Sequence, residues 1–153
     1  MRVPTVAERH RRLRGMTAAL RQAGVKLTRQ RRAICAEVVR NDAHPDAATV
    51  FRGVRQRLPR VSLDTVYRAL WLLVDVGAIT TLGPPRARVR FDANLSLHHH
   101  FLCRICGRAS DVYSAALDAL TLPTRVKALG RVERTQVEMC GCCLQCLKTT
   151  RGR

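Results

Sequence analysis

Apolar residues recur at helical spacing four times in the first half of this chain. Leu13, Met16, Ala19, Leu20 and Ala23 predict a first helix over 13–23, with Gly24 as its stop. Thr28 is placed to cap a second helix that turns Ile34, Val38 and Val39 inward. Asp46 can cap a third, with Ala47, Val50, Phe51, Val54 and Leu58 as its apolar stripe and Pro59 beyond its end. Ser62 or Asp64 can cap a fourth, in which Val66, Leu70, Leu73 and Val74 repeat until Gly77. The period then changes. Residues 78–82 and 86–91 read as short strands, with Gly83-Pro84-Pro85 as the turn between them. Helices followed by a basic hairpin describe a winged helix-turn-helix. Arg86, Arg88 and Arg90 alternate along the second strand and so share one face, suited to phosphate contacts.

Residues 92–97 read as a hinge, which predicts an N-terminal domain over 1–92 and a second over 93–153. In the second, strand-like pieces lie around Phe101 and Val112. A helix is expected over about 117–129 and a further strand over about 132–137. So small a domain buries little core alone. A bound metal and a partner subunit are expected to supply the rest. The predicted class is α+β.

Charge narrows the function. Among 153 residues, Lys plus Arg number 28 against 11 Asp plus Glu, a formal net charge of +17. Such an excess points to a polyanion. Aromatic residues are only 4%, too few for stacking platforms, so duplex DNA read by a helix fits better than a single strand. The stretch RVSLDTVYRALWLL is the candidate recognition helix. Ser62, Thr65, Tyr67 and Arg68 lie near its start, where a helix in the major groove meets bases and backbone. Arg68 is suited to guanine, and Tyr67 to a thymine methyl or a phosphate. Arg29, Arg86 and Arg88 complete the expected DNA-facing set. The Arg-rich start, residues 2–14, is either an added phosphate contact or a solvated helix face. No window of about 18 uncharged apolar residues exists, so no membrane span is expected. The basic N-terminus lacks the apolar segment of a secretory signal, and the cytoplasm is the expected compartment.

The seven cysteines carry the sharpest chemistry. Cys103 and Cys106 form one C-x-x-C pair, and Cys143 and Cys146 form another. Two such pairs without a secretory signal suit a closed tetrahedral zinc site rather than disulfides. Cys140 with Cys143 is also C-x-x-C, which leaves the register of the second pair open. Cys35 falls in an apolar helix and reads as a small core residue. His98, His99 and His100 supply a second cluster of harder ligands. Alternation on a strand places His98 and His100 on one face and His99 on the other.

Five stretches together resemble the ferric uptake regulator family of bacterial metal-dependent repressors. They are LTRQRRAI (27–34), AHPDAATVF (43–51), VSLDTVYRAL (61–70), RFDANLSLHHHFLCRICG (90–107) and the last C-x-x-C. The likeness runs from about Leu20 to Cys146 and keeps the order and spacing of every motif. It implies a winged-helix DNA-binding domain, a small α/β dimerisation domain, and a homodimer on a palindromic operator. It also implies structural zinc on Cys103, Cys106, Cys143 and Cys146. A regulatory Fe²⁺ or Mn²⁺ is implied on His44, Asp92, His98, His100 and Asp111. The absence of a thiolate from that second set fits a harder metal.

Asp92 together with Asp111 most resembles the peroxide-responsive branch. That implies sensing through oxidation of an Fe²⁺-bound histidine, His44 or His98. The alternative is an iron- or manganese-responsive repressor indifferent to peroxide. A third family site is not expected, because its positions here are Leu97, His99, Asp118 and Thr135. The haem-responsive branch shares the HHHF run but generally lacks the paired C-x-x-C motifs. A turnover enzyme is not expected, since no further acid or base accompanies the histidine cluster. No small-molecule substrate is expected apart from peroxide. A thiol switch on Cys140, Cys142 and Cys143 and a metal-indifferent architectural DNA protein are the remaining rivals.

Overall fold

The computed structural model describes residues 4–83 and 89–150. The chain divides into two compact units, Arg2–Leu95 and Ser96–Arg153. Helices precede a small sheet, an α+β arrangement.

Four helices build the first unit. These are α1 (Val6–Gln22), α2 (Arg29–Arg40), α3 (Ala47–Arg55) and α4 (Leu63–Asp75). Short polar side chains set their starts. Thr28, Asp46 and Ser62 accept from the backbone N–H groups of Arg31, Thr49 and Thr65. Ser62 rather than Asp64 caps α4, and Asp64 sits in its first turn, where a carboxylate favours the helix dipole. The first helix starts seven residues earlier than its apolar stripe predicts. Thr5 and Glu8 form a reciprocal capping box that begins α1 at Val6, ahead of Leu13. The inward faces of the helices meet in one core that includes Met16, Leu20, Ile34, Val38, Val50, Val54, Leu70 and Leu73. Cys35 is fully buried in it.

A two-stranded ribbon follows, β1 (Thr80–Leu82) against β2 (Arg90–Asp92), antiparallel with Thr80 opposite Asp92. Both described strands are shorter than predicted. Arg86 and Arg88, with the prolines of the expected turn, lie outside the described residues. Arg90 has partners that alternation along the strand does not reveal. Its guanidinium Nη1 donates to the carbonyls of His44 at 2.9 Å and Ala43 at 3.3 Å, so it holds a loop of its own unit.

In the second unit β3 (His99–Cys103) is the middle strand. It pairs antiparallel with β4 (Ala109–Val112) and parallel with β5 (Glu138–Gly141). Two corrections apply here. The helix expected over 117–129 is two single turns, α5 (Ala115–Asp118) and α6 (Thr124–Lys127), parted around Pro123. Proline lacks the N–H that an unbroken helix would need there. The strand expected over 132–137 lies later, at β5. A last helix, α7 (Leu144–Thr150), was not anticipated from the pattern.

The two faces of α4 predict opposite mutational responses. Leu70 is fully buried, and Leu70→Ala should cost about 3 kcal/mol in denaturant unfolding. Tyr67 is 46% exposed, and Tyr67→Ala should stay within about 0.5 kcal/mol of the parent.

Candidate metal centres and DNA-facing helix

Within the first unit, His44 and Asp92 are neighbours. His44 sits in the turn between α2 and α3, and Asp92 ends β2. The backbone brings the two segments together, since Phe91 N–H donates to the Pro45 carbonyl at 3.0 Å and Asp46 bridges to Arg90. His44 Nε2 lies 3.6 Å from Asp92 Oδ1, with both residues buried. The same Oδ1 accepts the Asn94 N–H at 2.7 Å, which orients the carboxylate. His44 has φ of +51°, the left-handed region that a residue with a Cβ seldom occupies.

The second unit builds its own donor group. His98 Nδ1 lies 2.7 Å from the Ser96 carbonyl, so this nitrogen carries the proton and Nε2 keeps its lone pair. His98 Nε2 stands 2.9 Å from His100 Nε2. Two nitrogens bound about 2.1 Å from one ion at right angles lie about 3.0 Å apart. Asp111 is the register partner of His100 across β3 and β4, so its carboxylate shares that face. Its Oδ1 is 3.9 Å from each of the two imidazole nitrogens. Tyr113 O–H donates to Asp111 Oδ2 at 3.1 Å, and Gln136 lies 2.9 Å from His100 Nδ1. The two Nε2 atoms are spaced to bind one divalent ion side by side, while Asp111 Oδ1 stands farther off. Sequence reasoning missed Tyr113 and Gln136. Alternation along β4 gave a signal for Tyr113, which continues the Asp111 face, whereas nothing local marks Gln136.

His99 serves the opposite face. Its Nδ1 accepts the Val137 N–H at 3.1 Å, which leaves the proton on Nε2, 3.0 Å from Asp118 Oδ1. The imidazole thus ties β3 to the segment leading into β5 and to α5.

Four sulfur atoms converge beside the sheet. Those of Cys103, Cys106, Cys143 and Cys146 all lie within 4.8 Å of one another. Cys103 Sγ is 3.9 Å from Cys146 Sγ, and Cys106 Sγ is 3.8 Å from Cys143 Sγ. A zinc–sulfur distance of about 2.3 Å gives a tetrahedron with edges of about 3.8 Å. The thiols therefore fit Zn²⁺ as they stand. This geometry takes Cys143 with Cys146, while Cys140 lies exposed on β5. Backbone N–H groups of Cys106 and Cys143 stabilise a thiolate at Cys103 and draw its pKa down to about 5. Its partner Cys146, hydrogen-bonded to Cys143 and desolvated, is pushed up to about 12. Burial pushes Cys35 up to about 11, as an inert core thiol requires.

The start of α4 presents Ser62, Tyr67 and Arg68 outward, with Thr65 half-buried. Ser62 and Thr65 share a hydroxyl–hydroxyl bond of 2.8 Å. Arg68 pairs with Asp64 at 2.7 Å, their side chains 76% and 71% exposed, a contact that costs little to break. Arg29 is exposed at the first turn of α2. A cleft of about 280 Å³, lined by Thr28, Arg31, Thr65 and Arg68 among others, separates the starts of α2 and α4. Among the described residues no helix is long and apolar enough to cross a membrane.

Known proteins resemble the chain throughout. The model of the ferric uptake regulator family matches residues 22–139. The peroxide-responsive repressor PerR of Staphylococcus epidermidis is 30% identical over 129 residues, 84% of this chain and 86% of that protein. The solved ferric uptake regulator of Helicobacter pylori superposes with a TM-score of 0.70 at 21% identity, covering 96% of this chain and 97% of its own. A zinc-bound manganese uptake regulator superposes with a TM-score of 0.66 at 25% identity, covering 85% and 99%.

Thiol titration checks the sulfur cluster. In metal-free protein one thiolate should appear in the ultraviolet as pH rises through about 5, and Cys103→Ala should remove it. Because this folded-state value lies below the ordinary 9, stability of the metal-free form should rise with pH between the two and be lost as pH falls through about 5. No ionisation of Cys35 should appear below about 11.

Proposed function

This chain belongs to the ferric uptake regulator family, and we propose that within it the protein is a metal-dependent DNA-binding repressor that senses peroxide. Members of the family are metal-responsive regulators that bind DNA and act as dimers. In this reading zinc is held by Cys103, Cys106, Cys143 and Cys146 and is structural. His44 and Asp92 join His98, His100 and Asp111 as ligands of one regulatory Fe²⁺ or Mn²⁺. The observation that carries the second assignment is the meeting of two imidazole Nε2 atoms 2.9 Å apart, with a carboxylate oxygen beside them and no thiol.

The chain's own residues then divide the work. The Ser96 carbonyl and Gln136 orient the two imidazoles, and Tyr113 orients Asp111. Ligation from both units couples metal occupancy to the orientation of the two recognition helices in the dimer. Each α4 then offers Ser62, Thr65, Tyr67 and Arg68 to a major groove of a palindromic operator. Arg29, Arg86 and Arg88 supply phosphate contacts. Release of Arg68 from Asp64 frees it for a base edge. Iron(II), when bound, supplies the electrons that activate peroxide. The imidazoles of His44 and His98 are the oxidation targets. The net charge of +17 supports a DNA partner, and 30% identity to a peroxide-responsive repressor supports the signal. A second reading, an iron- or manganese-responsive repressor without peroxide sensing, draws support from the manganese uptake regulator.

The test uses duplex DNA selected from a random pool by the manganese-loaded protein. Binding is measured with Mn²⁺ or Fe²⁺, before and after a small dose of peroxide. The Fe²⁺ form alone should lose DNA, and peptides carrying His44 or His98 should gain the mass of one oxygen atom. If both metal forms keep DNA after peroxide, the second reading stands in place of the first. If DNA binding ignores both metals, the regulatory site itself is wrong. Arg68→Ala should weaken selection at one base position by about 1–3 kcal/mol while leaving the metal response intact.

A further inference from the structure

His44 is held in a backbone conformation that its own side chain disfavours, with φ of +51°. Such a residue stays put only where its surroundings over-determine it. Two arginines do so here, one on each side. Arg90, from β2, sends Nη1 to the His44 carbonyl at 2.9 Å and the Ala43 carbonyl at 3.3 Å, which fixes the peptide plane leaving His44. Arg9, from the first turn of α1, is hydrogen-bonded and ion-paired through Nη2 to Asp42 Oδ2, two residues before His44. Both partners of that pair are half-buried, at 32% and 20% side-chain exposure, so solvent screens it less than a fully exposed contact. The Thr5–Glu8 capping box fixes the start of α1 and so the place of Arg9. Inside the loop, Asn41 Oδ1 accepts the Ala43 N–H at 3.2 Å.

We propose that Arg9 and Arg90 are positioning residues for the regulatory metal, acting as a clamp that holds the loop 42–44 with its imidazole in the ligating posture. The inference rests on the reading of His44 as a metal ligand. It gives the N-terminal turn of α1 a task, although Arg9 lies outside the residues 22–139 that the family model matches. Neither arginine touches the ion. Each removes alternatives in which the loop relaxes to negative φ and the imidazole points elsewhere. Metal binding to a loosened loop must first reorder it, and the apparent affinity falls by the fraction of molecules out of posture.

Zinc-loaded, full-length protein is titrated with Mn²⁺, with free ion followed by electron paramagnetic resonance. Arg9→Ala should weaken Mn²⁺ binding about tenfold, equivalent to about 1.4 kcal/mol. Asp42→Ala should do the same. Combining the two should add little, because they remove one interaction. The exchange Arg9→Asp with Asp42→Arg should recover most of the affinity. Arg90→Lys should also weaken binding, since the lysine ammonium ends about one bond short of the Nη1 position that reaches both carbonyls. Arg11→Ala, a charge removed from an exposed position of the same helix, should change nothing. Zinc content and unfolding midpoints are measured alongside. A merely structural role for Arg9 would lower the midpoint and leave the Mn²⁺ affinity alone, which would overturn the proposal. His44→Ala separates the two levels. If it weakens Mn²⁺ while Arg9→Ala and Arg90→Lys do not, the clamp is wrong and the ligand assignment survives. If His44→Ala also leaves the affinity unchanged, the ligand assignment fails and the clamp with it.

Discussion

The convergence of four thiol groups is the constraint on which the second unit depends. Among its described residues, the buried apolar side chains are Leu102, Cys103 and Ala109. The other buried residues there are His98, His99 and His100, which are polar and must be hydrogen-bonded. So small an apolar core cannot order more than fifty residues. The sulfur tetrahedron takes over that task. Cys103 ends β3, Cys106 closes the turn after it, Cys143 precedes α7 and Cys146 lies in its first turn. Cys143 N–H also donates to Cys103 Sγ at 3.3 Å, so the strand end and the helix start are tied by backbone as well as by sulfur. With those ends fixed, β5 lies parallel to β3 and the histidine face is complete.

The three consecutive histidines show how one strand serves two purposes. His98 and His100 turn their Nε2 atoms to a shared point, while His99 turns away and is spent on Val137 and Asp118. For His98 and His99 the partner of Nδ1 decides whether Nε2 keeps a lone pair. A ring whose Nδ1 donates to a carbonyl keeps a lone pair at Nε2, as His98 does. A ring whose Nδ1 accepts from the backbone must carry its proton on Nε2, as His99 does, and so becomes a donor to a carboxylate.

Much of this was legible in the sequence wherever the cause is local. Thr28, Asp46 and Ser62 announce their helices because a side-chain oxygen satisfies an N–H only three residues away. The paired C-x-x-C motifs announce the cluster of four thiol groups that the fold brings together. What stayed hidden depends on distant or opposing effects. The Thr5–Glu8 box is a local signal that the apolar stripe overshadowed, because α1 has few buried residues in its first turns. Pro123 divides a stretch whose apolar content alone suggested a continuous helix. The place of β5 follows from pairing with a distant strand, which no local preference encodes. Arg90 looked like a surface charge, since alternation gives a side chain's face and not its partner. The tension at His44 has no signature in a residue type that is usually at ease with negative φ.

The parallel pairing of β3 with β5 has a kinetic consequence. Phe101 faces Met139 and Leu102 faces Cys140, so the chain must search for contacts across nearly forty residues before the sheet closes. The helical unit faces no such search, for its neighbours in space are largely neighbours in sequence. The molecule therefore matures in two tempos, a quick head and a slow tail. Bringing Cys103 to Cys146, 43 positions along the chain, closes the same long loop as the slow step.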